Sequence, residues 1–230
     1  MTTSGTYAFS PSLGEIGIYA FNIAQVRPTS LLQEHMQSLK MATNMMLATW
    51  ANKGVNLWKV TKTQIPLVAG QSVYPLNPNM IVMLDAYMTI DNGNGQPIDR
   101  IILPISRSEY ATYPNKEQQG FTTVYWMDRL ISPSVTLWPV PDGTSAQYLT
   151  FYSVAQIQDA YVTGGQTPDI PYLWFEAFAT GLAYRLAIIW NPQIATALKM
   201  LAEENYTIAA TQNVEMADFW VSPQIGAYYR

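Results

Sequence analysis

The apolar positions of the first fifty residues recur at helical spacing. Ser12-Leu13-Gly14-Glu15 is a capping-box pattern, and Ile16, Ala20, Ile23 and Ala24 follow it on one face. This helix is expected to stop before Pro28, because the residue preceding a proline disfavours the helical region. Ser30-Leu31-Leu32-Gln33 reads as a second capping box. Beyond it Leu32, Met36, Leu39, Thr43, Met46 and Trp50 alternate steps of four and three, which predicts a long helix closed by Gly54.

From Val55 the rhythm changes to short apolar runs cut by Pro- and Gly-bearing turns. Met80–Ile90, Arg100–Ile105, Thr122–Met127, Ser134–Trp138 and Tyr148–Val154 are strand candidates, with one or two helical turns expected over Ser106–Tyr113. Asp91-Asn92-Gly93-Asn94-Gly95-Gln96-Pro97 reads as a hairpin turn. After Gly164-Gly165 the helical rhythm returns, with Pro171 at a first helical position and Asp169 the better cap. That helix ends at Asn191-Pro192. A last one follows with Ile194, Leu198, Leu201, Asn205 and Ile208 as its stripe.

The resulting plan is an α+β chain. Residues 1–54 and 168–215 supply helices of one bundle, residues 55–167 form an inserted β-rich unit, and residues 216–230 form an extended tail. The segment Tyr172–Trp190 is nearly continuous apolar sequence of spanning length. Glu176 and Arg185 lie on opposite sides of it, so rotation hides neither from lipid, and a helix buried by neighbouring protein is expected instead of membrane insertion.

Composition narrows the function. Hydrophobic residues make up 49% of the chain and DEKR only 12%, about half the usual share of ~25%. A surface so poor in charge, carrying 15 Tyr, 7 Trp and 7 Phe, points to assembly, since interface cores are depleted in charge and enriched in aromatics. The absence of cysteine excludes disulfides, thiolate nucleophiles and thiolate metal sites. Net charge −4 argues against a surface that grips nucleic acid. Met1-Thr2-Thr3-Ser4-Gly5 has no basic start or apolar run of a signal peptide, so the Asn205-Tyr206-Thr207 sequon is read as idle.

Little catalytic chemistry remains. His35, the single histidine, sits beside the helical stripe and is expected at the surface or half-buried. No nucleophile elbow accompanies it. The Asp91–Pro97 turn lacks the ligand spacing and closing Glu of a calcium loop. Glu203-Glu204 is read as a solvated helix face. No catalytic residue, cofactor or metal is assigned. The aromatic side chains of the tail, Phe219, Trp220, Tyr228 and Tyr229, are costly to leave in water and ask for burial against the chain itself or a partner.

Several passages taken in order resemble a known family. They are Leu39–Trp58, with Asn44, Met46, Leu47, Trp50, Gly54, Leu57 and Trp58, then Ile65–Leu76, Ile105–Tyr110, Leu137–Asp142, Asp169–Trp174 and Gly181–Ala187. This order, covering about Leu13 to Ile208, resembles the head–tail adaptors of tailed bacteriophages, the connector or head-completion proteins found notably in short-tailed ones. The resemblance implies a structural virion protein at the head–tail junction, made in the host cytoplasm. It implies a ring, commonly of twelve copies, below the portal protein, with a tail (nozzle or tube) protein beneath. It implies that the genome passes through the lumen, without specific binding. It also implies that the C-terminal extension reaches the portal, which makes Phe219, Trp220, Tyr228, Tyr229 and Arg230 portal-interface candidates. For contacts between subunits, the apolar circumference of the Tyr172–Trp190 helix nominates Trp174, Phe178, Leu182 and Tyr184. Another virion interface component, of the tail tube or head closure, is the alternative reading, and a tail-associated cell-wall hydrolase a third.

Overall fold

The computed structural model describes residues 3–54, 56–91, 93, 96–161 and 165–214. Helix α1 (Leu13–Ile23) starts on the capping box: the Glu15 amide donates to Ser12 Oγ, and Glu15 Oε2 accepts the Ser12 amide at 2.7 Å. It ends well before Pro28. Gln25 adopts a left-handed φ of 59°, and the amides of Gln25 and Val26 donate back to Asn22 and Phe21. This is a Schellman closure with glutamine where glycine is usual.

Helix α2 (Gln33–Asn52) starts later than Ser30. Pro28 opens a short 3-10 turn, Pro28–Ser30, in which the Ser30 hydroxyl donates to Arg27 O and is no longer free to cap. His35 Nδ1 instead accepts the Leu32 amide at 3.1 Å, so an imidazole satisfies the helix start. Leu39, Thr43, Met46 and Trp50 are buried as the stripe requires, whereas Leu32 is exposed.

The middle of the chain forms β1 (Val60–Pro66), β2 (Val73–Pro75), β3 (Met80–Asp91), β4 (Ile98–Ile101), β5 (Leu103–Pro104), the short helix α3 (Arg107–Thr112), β6 (Val124–Asp128), β7 (Ser134–Trp138) and β8 (Ala146–Ala155). One sheet has the order β1-β8-β3-β4 and is antiparallel throughout; the other runs β2-β7-β6-β5, with β5 parallel to β6. The first and last strands pair, Val60 opposite Val154, which closes the unit on itself. Strands β3 and β4, which flank the expected Asp91–Pro97 turn, pair antiparallel with Ile90 opposite Ile98. Tyr74, Met88, Tyr125, Leu137, Leu149 and Phe151 belong to one apolar core drawn from both sheets.

A 3-10 turn at Tyr172–Trp174 leads into α4 (Phe175–Trp190), and α5 (Pro192–Thr211) follows. Asp169 does not cap this helix. Its carboxylate pairs with Lys59 Nζ and accepts the Gln158 amide, tying the start of the β segment to its end. Helices α1, α2 and α5 all pack on α4, and a second core joins Leu13, Phe21, Leu39 and Trp50 to Phe178, Leu182 and Leu186. Two glycines lie where helices approach closely. A Cβ on Gly17 would fall 2.4 Å from Leu39 Cδ2, and one on Gly181 would fall 2.8 Å from Met46 Sδ. Helix α5 turns only part of its apolar stripe inward: Leu198 is buried and Ile194 packs on the core, but Leu201 and Ile208 are exposed, and Ala202 and Ala209 are buried in their place. Small side chains win this contact because they let α5 approach α4, where Asn205 Nδ2 donates to Thr180 Oγ1. Among the described residues no helix is long and apolar enough to cross a membrane.

Two outcomes are expected. Leu182→Ala removes a side chain that is fully enclosed and should lower unfolding free energy by about 2–5 kcal/mol. Ile189→Ala, at an exposed position of the same helix, should stay within about 0.5 kcal/mol. Denaturant unfolding of the two variants checks the contrast. The second concerns pH. The Ser12 amide, and then its hydroxyl, hold the Glu15 carboxyl below the usual carboxylate range. The cap therefore contributes fully above the titration of an unfolded glutamate, and its contribution is lost as pH falls through the lower folded value. Glu15→Gln should flatten that part of the stability profile between acid and neutral pH.

Candidate assembly surfaces

His35 is 7% exposed, which overturns the expectation of a surface or half-buried position. Its ring stacks on Trp190 with centroids 3.9 Å apart and meets the edge of Phe21, while Nδ1 is taken by the helix cap. Asp91 Oδ1 accepts the Gly93 amide within the turn. Glu203 lies 3.8 Å from Lys199 on the exposed side of α5, and among the described residues the cleft it lines holds no second carboxylate. Among the described residues no three His, Asp or Glu gather as a metal site.

The helix residues singled out as subunit contacts lie mostly inside the chain. Trp174, Phe178 and Leu182 are 3%, 0% and 0% exposed. Trp174 lies 5.1 Å from the ring of Trp50 and 5.4 Å from that of Tyr206, and Phe178 meets Trp50 edge-on at 6.0 Å. The apolar circumference that nominated them is sheathed by α1, α2 and α5. Only Tyr184 keeps partial exposure, lining a cleft between α2, α4 and α5 beside Arg185. Arg185 Nη2 donates to Thr49 Oγ1 at 2.9 Å, and burial pushes its guanidinium below the ordinary range. Phe219, Trp220, Tyr228, Tyr229 and Arg230 lie outside the described residues.

The large apolar side chains that do face solvent are others. Ile188 and Ile189 sit on the last turn of α4, Met41 and Met45 one turn apart on α2, and Ile18 and Tyr19 on α1. On the β6–β7 turn Leu130 is 64% and Ile131 97% exposed. A groove of about 310 Å³ runs where α1 meets the start of α4. It is lined by Phe9, Pro11, Ile16, Tyr19, Phe175 and Ala179, with the carboxylates of Glu15 and Glu176 beside them. Phe9 reaches it from the segment before α1 and meets the rings of Tyr172 and Phe175 edge-on. One signal was legible: Leu130-Ile131 is an apolar pair inside a turn between Arg129 and Ser132-Pro133, where polar residues are the rule. The groove had none, because it joins residues far apart in sequence.

The described residues present surfaces for contact. None of the curated proteins compared matches the chain. A family model does: SU10 adaptor protein matches residues 27–223, starting just after α1 at the Pro28–Ser30 turn, and the chain belongs to that family.

Proposed function

We propose that this protein is a structural component of a phage virion, a head–tail adaptor whose copies form a ring below the portal protein. In this reading about twelve copies surround a channel for the genome, a tail (nozzle or tube) protein binds beneath, and DNA passes without specific binding. The observation that carries it is the SU10 adaptor match over residues 27–223. The exposed apolar residues of α1, α2, α4 and the β6–β7 turn support it, since they are surplus to the needs of a solitary chain with 12% charged residues. The four long helices act as one bundle in this proposal, with residues 55–167 as an insert and residues 216–230 as an arm to the portal. The acidic balance suits a conduit, because each Lys or Arg contact to phosphate strengthens adhesion.

Mass measurement of the portal complex tests the ring: several copies per portal are expected, and a single copy overturns it. The arm has its own test. Deleting residues 217–230 should leave thermal stability nearly unchanged and abolish retention on portal-bearing heads. Alanine at both Phe219 and Trp220 should do much of the same, as aromatic anchors dominate such interfaces. A truncated chain that melts at markedly lower temperature yet still binds heads would place the arm in the chain's own core.

His35→Phe tests the structural role of the histidine. It keeps a ring against Trp190 and removes the acceptor for the Leu32 amide, so stability should fall by about 1 kcal/mol while assembly and infectivity persist. Loss of infectivity in fully assembled particles would contradict a non-catalytic role.

A further inference from the structure

Two of the exposed features fit each other. The β6–β7 turn stands on a fixed base: Asp128 pairs with Ser134 and Met127 with Val135, and Pro133 O accepts the Leu76 amide at 2.9 Å. Leu130 and Ile131 project from this base into solvent, Ile131 almost completely, so the turn does not fill any groove of its own chain. Arg129 beside them is exposed, and among the described residues no carboxylate lies within 4 Å of it. The groove between α1 and α4 has the converse character. Its floor is apolar, its volume is about ten times the ~30 Å³ share of one water in the liquid, and its carboxylates come from Glu15 and Glu176. Glu15 is committed to Ser12. Glu176 is exposed and, among the described residues, has no cation within 4 Å.

We propose that the β6–β7 turn of one copy seats Leu130 and Ile131 in the α1–α4 groove of the next copy, with Arg129 against Glu176. This rests on the ring reading above and names the contact that closes it. The partner is a second copy because the apolar pair and the cation of the turn match the apolar floor and the free carboxylate of the groove. Knob and socket are different patches of one chain, so the contact is heterologous and propagates from copy to copy until it closes. Two side chains cover far less than the ~1,600 Å² of a standard interface. The contact therefore forms among copies held side by side on the portal and leaves the free chain unpaired.

The chain has no cysteine, so Ile131→Cys gives a single coupling site for a benzophenone label. Irradiation of portal-bound protein should yield a chain-to-chain adduct mapping to the segment around Phe9–Tyr19 or Phe175–Ala179. An adduct only with the portal or a tail protein overturns the proposal. Charge exchange is the second arm, at two exposed positions, with circular dichroism confirming that each variant keeps its fold. Arg129→Glu or Glu176→Arg alone should cut the copies retained per portal by about two- to fivefold, and the two together should restore them. Full rings from Arg129→Glu with no chain-to-chain adduct overturn this contact and leave the ring standing. A single copy per portal in the unaltered protein overturns the ring and the contact together.

Discussion

Burial of α4 on three sides is the constraint from which the rest of the helical region follows. Its inward residues, Phe178, Leu182, Ala183, Leu186 and Ala187, lose essentially all contact with water. A helix this apolar is stable in water only when sheathed, so α1, α2 and α5 are obliged to lie against it. The small residues set how closely they lie. Gly181 admits Met46, and Gly17 admits Leu39, at distances an alanine would crowd. Around Trp50, three aromatic rings from the C-terminal part of the chain, Trp174, Phe178 and Tyr206, close the core where α2, α4 and α5 meet. The surface is what remains after that demand is met, and it keeps apolar side chains that the core had no room for.

Much of the fold could be read from the residues in order. The Ser12–Glu15 cap, the α2 stripe from Leu39 to Trp50 and most strand candidates depend on neighbours within a few positions, where pattern and physics coincide; the Arg100–Ile105 candidate instead splits at Ile102 into β4 and β5, which join different sheets. Local pattern misleads where distant residues decide. His35 reads as peripheral on its own helix, but Trp190 supplies a ring to stack on and the Leu32 amide supplies a donor. Leu201 and Ile208 read as the inward face of α5, yet Ala202 and Ala209 take it because close approach outweighs the size of the side chain buried. Asp169 reads as a cap and is recruited by Lys59 instead.

The surfaces were less legible than the core, for a related reason. Apolar residues of a helix look alike in sequence whether they meet their own chain or another. Trp174, Phe178 and Leu182 were the natural choice for outward contacts because they sit in the most apolar segment. That apolarity is what draws neighbouring helices over them. The free apolar residues lie where the sheath ends, at Ile188 and Ile189, or where a turn lifts them away, at Leu130 and Ile131.

The Lys59–Asp169 pair has a consequence of a different kind. It joins residues 110 apart at the point where the chain leaves the helices and the point where it returns. Asn44 adds a second clasp there, its amide bonded to both the amide and the carbonyl of Ala160. With both ends pinned, everything between them is, for the helices, one closed excursion. The entropy of closing such an excursion grows only with the logarithm of its length. Residues can be added to or removed from the outer turns of the two sheets without moving the helices. A lineage can thus reshape what this protein touches on that side while its helical frame keeps its geometry.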